Sequence, residues 1–384
     1  MKIFWFTHVL VLFAAMGASM PASAETFRVY FGTYTSGDSK SEGIYTSVFD
    51  TEAGTLTEPI AAAETVNPSF LAIHPNGQFL YCVNEVSEGE GRGTGQVTSF
   101  AVDSESGLLE RLNSQSSLGG APCHCNVDAT GQWLLVANYT GGNVAVFPIT
   151  DDGALNQSTS MVQHSGGSVN EKRQQAPHAH SINLSSDNRF AYAADLGLDK
   201  ILIYRFDDQE GVLAPNSPYA VAVSPGGGPR HFSIHPVGRF AFTNNELTSS
   251  VTAFSRNDES GGLTPLQEIS TLPADFEGTQ STAECLVHPS GRFLYVSNRG
   301  HDSIAVFLID ENSGMLEQVE FEPTGGKTPR NFYIDPTGGW LLAANQSSDS
   351  VTVFSINQNT GSLSPHGVQV EVPRPVCIRM VAQQ

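Results

Sequence analysis

The sequence has 384 residues, with 39 acidic and 19 basic side chains and a formal net charge of −20 at pH 7. This charge argues against a surface that binds nucleic acid or anionic lipid. Beyond the N-terminal segment, no apolar run reaches the roughly 20 residues that a membrane-spanning helix needs. The length is sufficient for a large core in one or two domains.

The N-terminal segment, residues 1–24, has the pattern of a cleavable export signal. Lys2 precedes an apolar stretch that runs to about Met20, and the small residues Ala22–Ala24 follow it. No stop-transfer pattern comes after this segment. We therefore predict cleavage after Ala24 and an exported chain, periplasmic or secreted, with no membrane anchor. Residues 25–384 are expected to form a single domain.

The five cysteines are too few and too scattered for a disulfide framework. They are Cys82, Cys123, Cys125, Cys285 and Cys377. Cys123-His124-Cys125 resembles a fragment of a metal site, but no second Cys/His pair follows at zinc-finger spacing. We interpret these cysteines as small, half-buried strand residues.

The rest of the chain repeats with a period of roughly 50 residues. Six similar segments start near the anchor residues Pro68, Pro122, Pro177, Pro229, Thr282 and Pro329. Each contains an alternating strand, a turn and a second apolar strand, and most continue into a third strand, such as SSVTAF or DSIAVF, and a fourth. This period and strand content are typical of β-propeller blades.

The two ends of the chain supply a seventh blade. RPVCIRM at 374–380 matches a first strand, and FRVYFGTYT at 27–35 begins a match to the remaining strands. Closure by both termini leaves no free sheet edge. We predict an all-β fold, a seven-bladed β-propeller with four antiparallel strands per blade. A β-solenoid is the rival interpretation, but its repeats are shorter.

Charged and polar side chains are concentrated at one end of the repeats. In a propeller, first strands start and second strands end on the same face, so these side chains converge at one mouth of the central channel. Directly after the anchors come Ser69, Cys123, His178, Arg230, Ala283, Arg330 and Val376. The next positions hold Phe70, His124, Ala179, His231, Glu284, Asn331 and Cys377. The second strands end at Glu85, Tyr139, Asp195, Glu246, Arg299 and Gln346, most of them preceded by Asn, as in Asn345.

Several of these polar groups have a structural interpretation. His74, His235, His288 and Asp335 lie beside turns at the opposite strand end, where they can bond turn amides. The recurrent Asn residues can satisfy loop backbone in the same way. His178 and His180, two apart on a strand, are spaced to bind a metal, but no carboxylate spacing matches them. We therefore expect neither a metal nor a cofactor.

The arginines are harder to explain structurally. Arg230, Arg299 and Arg330 converge on one mouth and repel one another unless carboxylates or an anionic ligand compensate them. A purely structural ring is one alternative, in which the compensating groups are Glu85, Asp195, Glu246 and Glu284.

These segments together resemble the seven-bladed propeller lactonases. The likeness rests on GPRHFSIHP, NEL, HPSGRFLYVSNRG, TPRNFYIDPTGGWLLAANQ and the opening GTYT, and it extends from Phe27 to Met380. The family contains propeller-type 6-phosphogluconolactonases and fungal carboxy-muconate lactonizing enzymes. The resemblance implies that a lactone ring is opened or closed at the mouth of the channel.

The resemblance also implies which residues act. The catalytic groups of the cycloisomerase branch fall on Arg230, Glu246, Arg299 and either His178 or His180. Glu246 or one of these histidines is a candidate base, and the two arginines are candidates to hold an oxyanion or an anionic substituent. Further candidates for binding the substrate are His231, Arg330, Asn331, Asn345, Glu85 and Glu284.

The predicted function is therefore hydrolysis of a sugar-acid lactone, with a lactone or sugar-acid anion as the small-molecule partner. Because phosphogluconolactone is cytoplasmic, export favours a non-phosphorylated or otherwise carboxylated lactone. No G-x-S-x-G segment is present, which disfavours a serine nucleophile. The alternatives are a non-catalytic exported propeller that binds a sugar acid or a protein, a muconate-type cycloisomerase, and a metal-dependent gluconolactonase. The sequence carries no signal for an oligomeric state.

Overall fold

A computed structural model of the protein describes residues 25–87 and 95–383. The predicted signal segment, residues 1–24, lies outside these described residues. Within them, no helix has the length and apolar character to cross a membrane. The secondary structure is almost entirely β, apart from one short 3-10 turn, Gln346–Ser348.

The strands form seven antiparallel sheets arranged as blades. The N-terminal strands are β1 (Thr26–Thr33), β2 (Gly43–Asp50), β3 (Thr55–Leu56) and β4 (Ile60–Glu64). Blade 1 has β5 (Phe70–Ile73), β6 (Phe79–Asn84), β7 (Gln96–Val102) and β8 (Leu109–Ser116). Blade 2 has β9 (Pro122–Val127), β10 (Trp133–Asn138), β11 (Asn143–Pro148) and β12 (Ser160–Gln163). Blade 3 has β13 (Ala179–Leu184), β14 (Phe190–Asp195), β15 (Lys200–Asp207) and β16 (Val212–Ala222).

The second half of the ring follows the same plan. Blade 4 has β17 (Pro229–Ile234), β18 (Phe240–Asn245), β19 (Ser250–Arg256) and β20 (Leu263–Ser270). Blade 5 has β21 (Ser281–Val287), β22 (Phe293–Arg299), β23 (Ser303–Ile309) and β24 (Leu316–Pro323). Blade 6 has β25 (Pro329–Ile334), β26 (Trp340–Asn345), β27 (Ser350–Ile356) and β28 (Leu363–Glu371), and the last strand is β29 (Pro375–Ala382).

The seventh blade is closed by both ends of the chain. Its order is β29-β1-β2, and β2 also pairs with β3 and β4, so the outermost strand is split into two short pieces. The pairing of β1 with β29 runs from Phe27 opposite Ala382 to Thr33 opposite Pro375. The predicted seven-bladed propeller with four-stranded blades is confirmed, and this split is a departure from the plan.

The second strand of each blade is apolar because both of its faces are buried between neighbouring blades. All six residues of β14 are buried. Ala191 and Ala193 pack with the core shared with blade 2, whereas Tyr192 and Ala194 pack with the core shared with blade 4. A strand covered on both faces has a continuous apolar sequence rather than an alternating one.

The histidines of the HPxG turns connect each blade to the next. His235 Nδ1 accepts a hydrogen bond from the Val237 amide at 3.2 Å, as predicted for a turn histidine. Its Nε2 donates to the Gly291 carbonyl of blade 5 at 2.7 Å. His74 and His288 make equivalent bonds to the next blades at 2.9 and 2.8 Å. The structural interpretation of these residues is confirmed, and they also tie the ring together.

All five cysteines are free and buried, rather than half-buried as expected. Cys82, Cys125 and Cys377 belong to one core that joins the terminal blade, blade 1 and blade 2.

Candidate active site

The innermost strands β5, β9, β13, β17, β21, β25 and β29 pack side by side around the central channel. Most of them contain a β-bulge immediately after the anchor residue. In β17 the pairing passes from Pro229 opposite Asn245 to Phe232 opposite Thr243. In β25 it passes from Pro329 to Asn331, so Arg330 is the extra residue. Because a bulge re-aims a side chain, it turns the residue after the anchor toward the channel.

Blade 3 corrects the repeat alignment. Ala179 lies opposite Asp195, as Pro229 lies opposite Asn245, and the bulge falls between Ala179 and Ser181. The structural counterpart of the anchor proline is therefore Ala179 and not Pro177. As a result, His180 rather than His178 occupies the position equivalent to Arg230.

The two histidines consequently have different surroundings. His180 is buried, with Nδ1 3.6 Å from Cys123 Sγ and Nε2 3.9 Å from Glu246 Oε2. His178 is partly exposed: its ring stacks on that of Tyr139 at 4.5 Å, and its Nδ1 bonds the Tyr139 carbonyl at 3.0 Å. Only His180 lines the cavity at the arginine-bearing end of the channel.

Glu246 is the centre of a cluster of arginines at this mouth. Its Oε2 lies 3.0 Å from Arg299 Nη2 and 3.1 Å from Arg230 Nε. Its Oε1 accepts a hydrogen bond of 2.8 Å from Arg173 Nη2. The Arg230 contact is an ion pair without hydrogen-bond alignment, since Arg230 Nε has no hydrogen-bond partner. We call Arg173, Arg230, Arg299 and Arg330, together with Glu246, the arginine cluster.

Arg330 occupies the far side of the same mouth. Its Nη2 donates to the Tyr34 hydroxyl at 3.0 Å, and that hydroxyl donates to Glu85 Oε2 at 2.8 Å. Among the described residues, the carboxylates that contact these four arginines are Glu246 and, through the Tyr34 hydroxyl, Glu85, so positive charge exceeds the contacting negative charge in a chain of net charge −20. The mouth is therefore suited to an anionic ligand.

A second layer of polar groups lies deeper in the channel. His231 Nδ1 lies 2.6 Å from Glu284 Oε1, and Asn331 Nδ2 donates to the other oxygen of Glu284. Asn331 Oδ1 accepts from the Ile378 amide at 2.8 Å. Glu284 therefore pairs with His231 rather than with the arginines that it was expected to compensate.

Between the two layers is a small cavity of about 10 Å³, comparable to the space that one water molecule needs. Its wall includes His180, His231, Arg230, Arg330 and Cys123. The side chains that meet here thus combine cations with imidazoles.

Burial and the neighbouring charges together set the protonation of these groups. Burial alone would raise the pKa of Glu246, but Arg299, Arg230 and Arg173 outweigh it and lower this pKa to about 2. Burial and the neighbouring Arg230 hold the pKa of His180 well below its usual value, so its imidazole is neutral at pH 7. Burial also lowers the pKa of Arg299, against the effect of Glu246, to about 9.

One predicted site residue, Asn345, and one candidate compensating carboxylate, Asp195, are turned away from the mouth. Asn345 donates from Nδ2 to Thr324 O and Thr352 Oγ1, so it braces the blade and is not placed against the cavity. Asp195 is fully buried and bonds His164 Nδ1 and the His178 amide, so it does not compensate the arginines.

Comparison with known proteins decides the family. The family model "Lactonase, 7-bladed beta-propeller" matches residues 28–380. The chain belongs to the seven-bladed β-propeller lactonase family. It is 39% identical to a 6-phosphogluconolactonase of Bacillus subtilis, over 92% of this chain and 98% of that protein. A second relative of the same name, from Formosa agariphila, is 33% identical over 80% of this chain and 86% of its own.

Solved structures of named lactonases also resemble this chain closely in fold. A periplasmic gluconolactonase of Pseudomonas aeruginosa superposes with a TM-score of 0.87 at 35% identity, over 94% of this chain and all of that one. A putative 6-phosphogluconolactonase of Bacteroides fragilis superposes with a TM-score of 0.85 at 35% identity, over 93% and 98% of the two chains. The predicted enzyme class, with a small-molecule lactone as substrate, is confirmed. These relatives do not favour the binding-only and cycloisomerase alternatives.

Two residues of the lactonase mouth escaped the repeat-based prediction. Arg173 lies in the segment between β12 and β13, which has no counterpart in the other repeats. A basic pair, Lys172-Arg173, in so acidic a chain was the available signal. Tyr34 lies in the GTYT motif, but the comparison of the repeats did not identify it as a residue of the mouth. Within residues 25–87 and 95–383, no three His, Cys, Asp or Glu side chains are grouped to hold a metal ion.

Proposed function

We propose that the lactonase hydrolyses the ring ester of a sugar-acid lactone at the arginine cluster. The observation that carries the proposal is the convergence of Arg230 and Arg299 on Glu246, beside the neutral imidazole of His180. Lactone hydrolysis needs a base for the attacking water and positive charge at the oxygen that becomes an oxyanion. The relatives named as 6-phosphogluconolactonase and gluconolactonase support the sugar-acid class.

His180 is the better candidate for the base. Glu246 is ionised, but both of its oxygens are already occupied by arginine groups, Oε1 by Arg173 and Oε2 by Arg230 and Arg299. The His180 ring is neutral and lines the small cavity. In the proposed step, water attacks the carbonyl carbon while His180 accepts a proton from it. The ring C–O ester bond then breaks, and the departing oxygen takes that proton to become a hydroxyl group, which leaves a carboxylic acid.

The arginines divide into two roles. Arg230 and Arg299 are anchored by Glu246 and donate to the Ala283 and Thr282 carbonyls, so their positions are fixed before substrate binds. Fixed donors are suited to stabilise developing negative charge. Arg330 and Arg173 lie on either side and are suited to hold the substrate's polar or anionic substituents.

The proposed substrate is a lactone met outside the cytoplasm. Residues 1–24 carry the features of an export signal, and one structural neighbour is named as a periplasmic enzyme. A non-phosphorylated sugar lactone, or another carboxylated lactone, is therefore the proposed substrate class.

Base uptake at constant pH tests the function directly, because each turnover releases an acid. The panel contains glucono-δ-lactone, 6-phosphogluconolactone and a carboxylated γ-lactone. We expect turnover of a non-phosphorylated member and its loss in Arg230→Ala. Arg239→Ala is the matched control, since Arg239 is exposed in the same blade and donates to Glu311 O. Activity on none of the panel overturns the proposal, and activity on the phosphorylated lactone alone overturns the substrate class.

A further inference from the structure

The channel has a second cavity, on the face opposite the arginine cluster. Its volume is about 440 Å³, and its outer rim includes His74 and Pro75 of an HPxG turn. This volume lies within the range of roughly 300–1,000 Å³ found for small-molecule sites. We call it the opposite-mouth cavity.

The lining of this cavity is the third layer of inner-strand side chains. Because side chains alternate along a strand, the residues two positions after His124, Asn331 and Cys377 also face the channel. These are Asn126, Tyr333 and Arg379, and Asn183 of blade 3 joins them. The layer therefore presents one guanidinium, two carboxamides and a phenol.

Arg379 is a half-buried cation that forms no ion pair, although the Glu284 carboxylate, already paired with His231, also lines the cavity and attracts the charge of Arg379 from a greater distance. Its Cζ lies 4.4 Å from the centroid of the Phe70 ring and 5.6 Å from that of Tyr333. Its Nη1 donates to the Ile378 carbonyl at 2.6 Å. Among the residues that the structure describes, no carboxylate oxygen lies within 4.0 Å of its guanidinium.

A half-buried arginine that forms no ion pair is suited to bind an anion. Removing a charge from water is costly unless an opposite charge or hydrogen bonds compensate it. A planar guanidinium can stack its face on an aromatic ring. The N–H groups at its edge then remain available to a carboxylate. No hydrogen bond is formed by the Asn126 side chain or the Tyr333 hydroxyl within the described residues, so both are free to bind ligand hydroxyl groups.

We infer that the opposite-mouth cavity is a second ligand site, which binds a small polyhydroxylated carboxylate. Arg379 holds the carboxylate, and Asn126, Asn183 and the Tyr333 hydroxyl bind the hydroxyl groups. The site is separate from the arginine cluster because the pair of His231 and Glu284 lies between them. Binding there does not require the reaction proposed for the first mouth.

Equilibrium binding of D-gluconate tests this site. The titrations are made by calorimetry on Arg230→Ala, so that the first mouth contributes little, and on the same chain with Arg379→Gln added. We expect the single variant to bind gluconate and the double variant to bind it about tenfold more weakly or not at all. Arg379→Lys keeps the charge but loses the planar fork, and is expected to bind with intermediate affinity.

A second ligand and a third variant test the class of ligand and the role of the neighbouring polar groups. Inorganic phosphate is titrated in parallel, and tighter binding of phosphate than of gluconate would overturn the hydroxy-acid class. Asn183→Leu in the Arg230→Ala background leaves Arg379 in place and removes a hydroxyl-binding group, so weaker gluconate binding is expected even if Arg379→Gln fails to fold. Absence of gluconate binding to Arg230→Ala, or equal binding by the variants, would show that Arg379 only stacks on its two rings.

Discussion

Glu246 Oε2 and Arg299 Nη2 lie 3.0 Å apart although Glu246 directly follows β18 of blade 4 and Arg299 ends β22 of blade 5. The pair therefore joins blade 4 to blade 5 at the mouth of the channel, and it also fixes one of the two guanidinium groups of the proposed active site. Under the proposed function, one carboxylate contributes to both stability and catalysis, which makes Glu246 the most informative position to change.

Replacing Glu246 by Gln should destabilise the fold and abolish activity. The change leaves several guanidinium groups facing one another without their carboxylate, and breaking a buried ion pair costs about 3 kcal/mol or more. Urea unfolding followed by tryptophan fluorescence measures the loss. Glu259→Gln, at an exposed position of the same blade, is the control and should unfold like the parent chain. Equal stability of the two variants would contradict the assigned role.

The same carboxylate predicts a pH dependence of stability. The pKa of Glu246 falls from 4.5 to about 2 on folding, so its ionised form stabilises the folded state fully at pH values above 4.5. This stabilisation is lost as the pH falls from 4.5 toward 2. The difference in unfolding free energy between the parent chain and Glu246→Gln should therefore narrow over that range. A constant difference would indicate that Glu246 is not held ionised by the arginines.

The two neighbouring histidines should behave differently. His180→Gln removes the proposed base and is expected to lower kcat by roughly 100-fold or more. His178→Gln changes a ring that stacks outside the cavity and should leave kcat within about threefold of the parent value. Initial rates of base uptake on one lactone compare the two variants. The opposite order of effects would assign the base to His178.

Arg173 should act mainly on substrate binding. Its side chain is 42% exposed and reaches Glu246 and the Tyr139 hydroxyl from the non-repeated segment. Arg173→Ala is expected to raise KM by about tenfold, with a smaller change in kcat, because a substrate contact present in both ground and transition states is lost. Lys172→Ala alters the adjacent exposed cation and is the control. A fall in kcat alone would instead place Arg173 in the chemical step.

The connection between blades at Gly291 can be tested with a matched glycine. Gly291 and Gly367 have the same φ of +76°, but a Cβ at Gly291 would lie 2.6 Å from His235 Cε1, whereas nothing lies within 4 Å at Gly367. Gly367→Ala should cost about 1 kcal/mol for the left-handed backbone alone. Gly291→Ala should cost about 1 to 2 kcal/mol more, because the His235 ring must move from its bond to the Gly291 carbonyl. Thermal melts of the two variants measure this difference.

The repeats were sufficient to predict the ring because each blade must bury two faces of its second strand, and that requirement leaves the same apolar pattern in every copy. The positions of Arg230, Arg299 and Glu246 followed from it. Blade 3 was misaligned because Pro177 has the residue type expected at the anchor position. The pairing of Ala179 with Asp195 shows that the anchor of this blade is an alanine. The position of Arg173 could not be predicted, because it lies between β12 and β13 in a segment that does not align with the repeats.

The antiparallel pairing of β1 with β29 also constrains the order in which the molecule can be assembled. The first and last strands of the described chain are nearest neighbours, separated in sequence by all of the other blades. The ring therefore cannot close until Pro375–Ala382 is available, and loop-closure entropy makes such a contact a slow one. Arg379 and the channel wall formed by Val376 and Cys377 are supplied by that same strand. Neither mouth of the channel is therefore complete until this strand has paired, and a chain that lacks it would keep β1 to β4 as a seventh sheet without an inner strand.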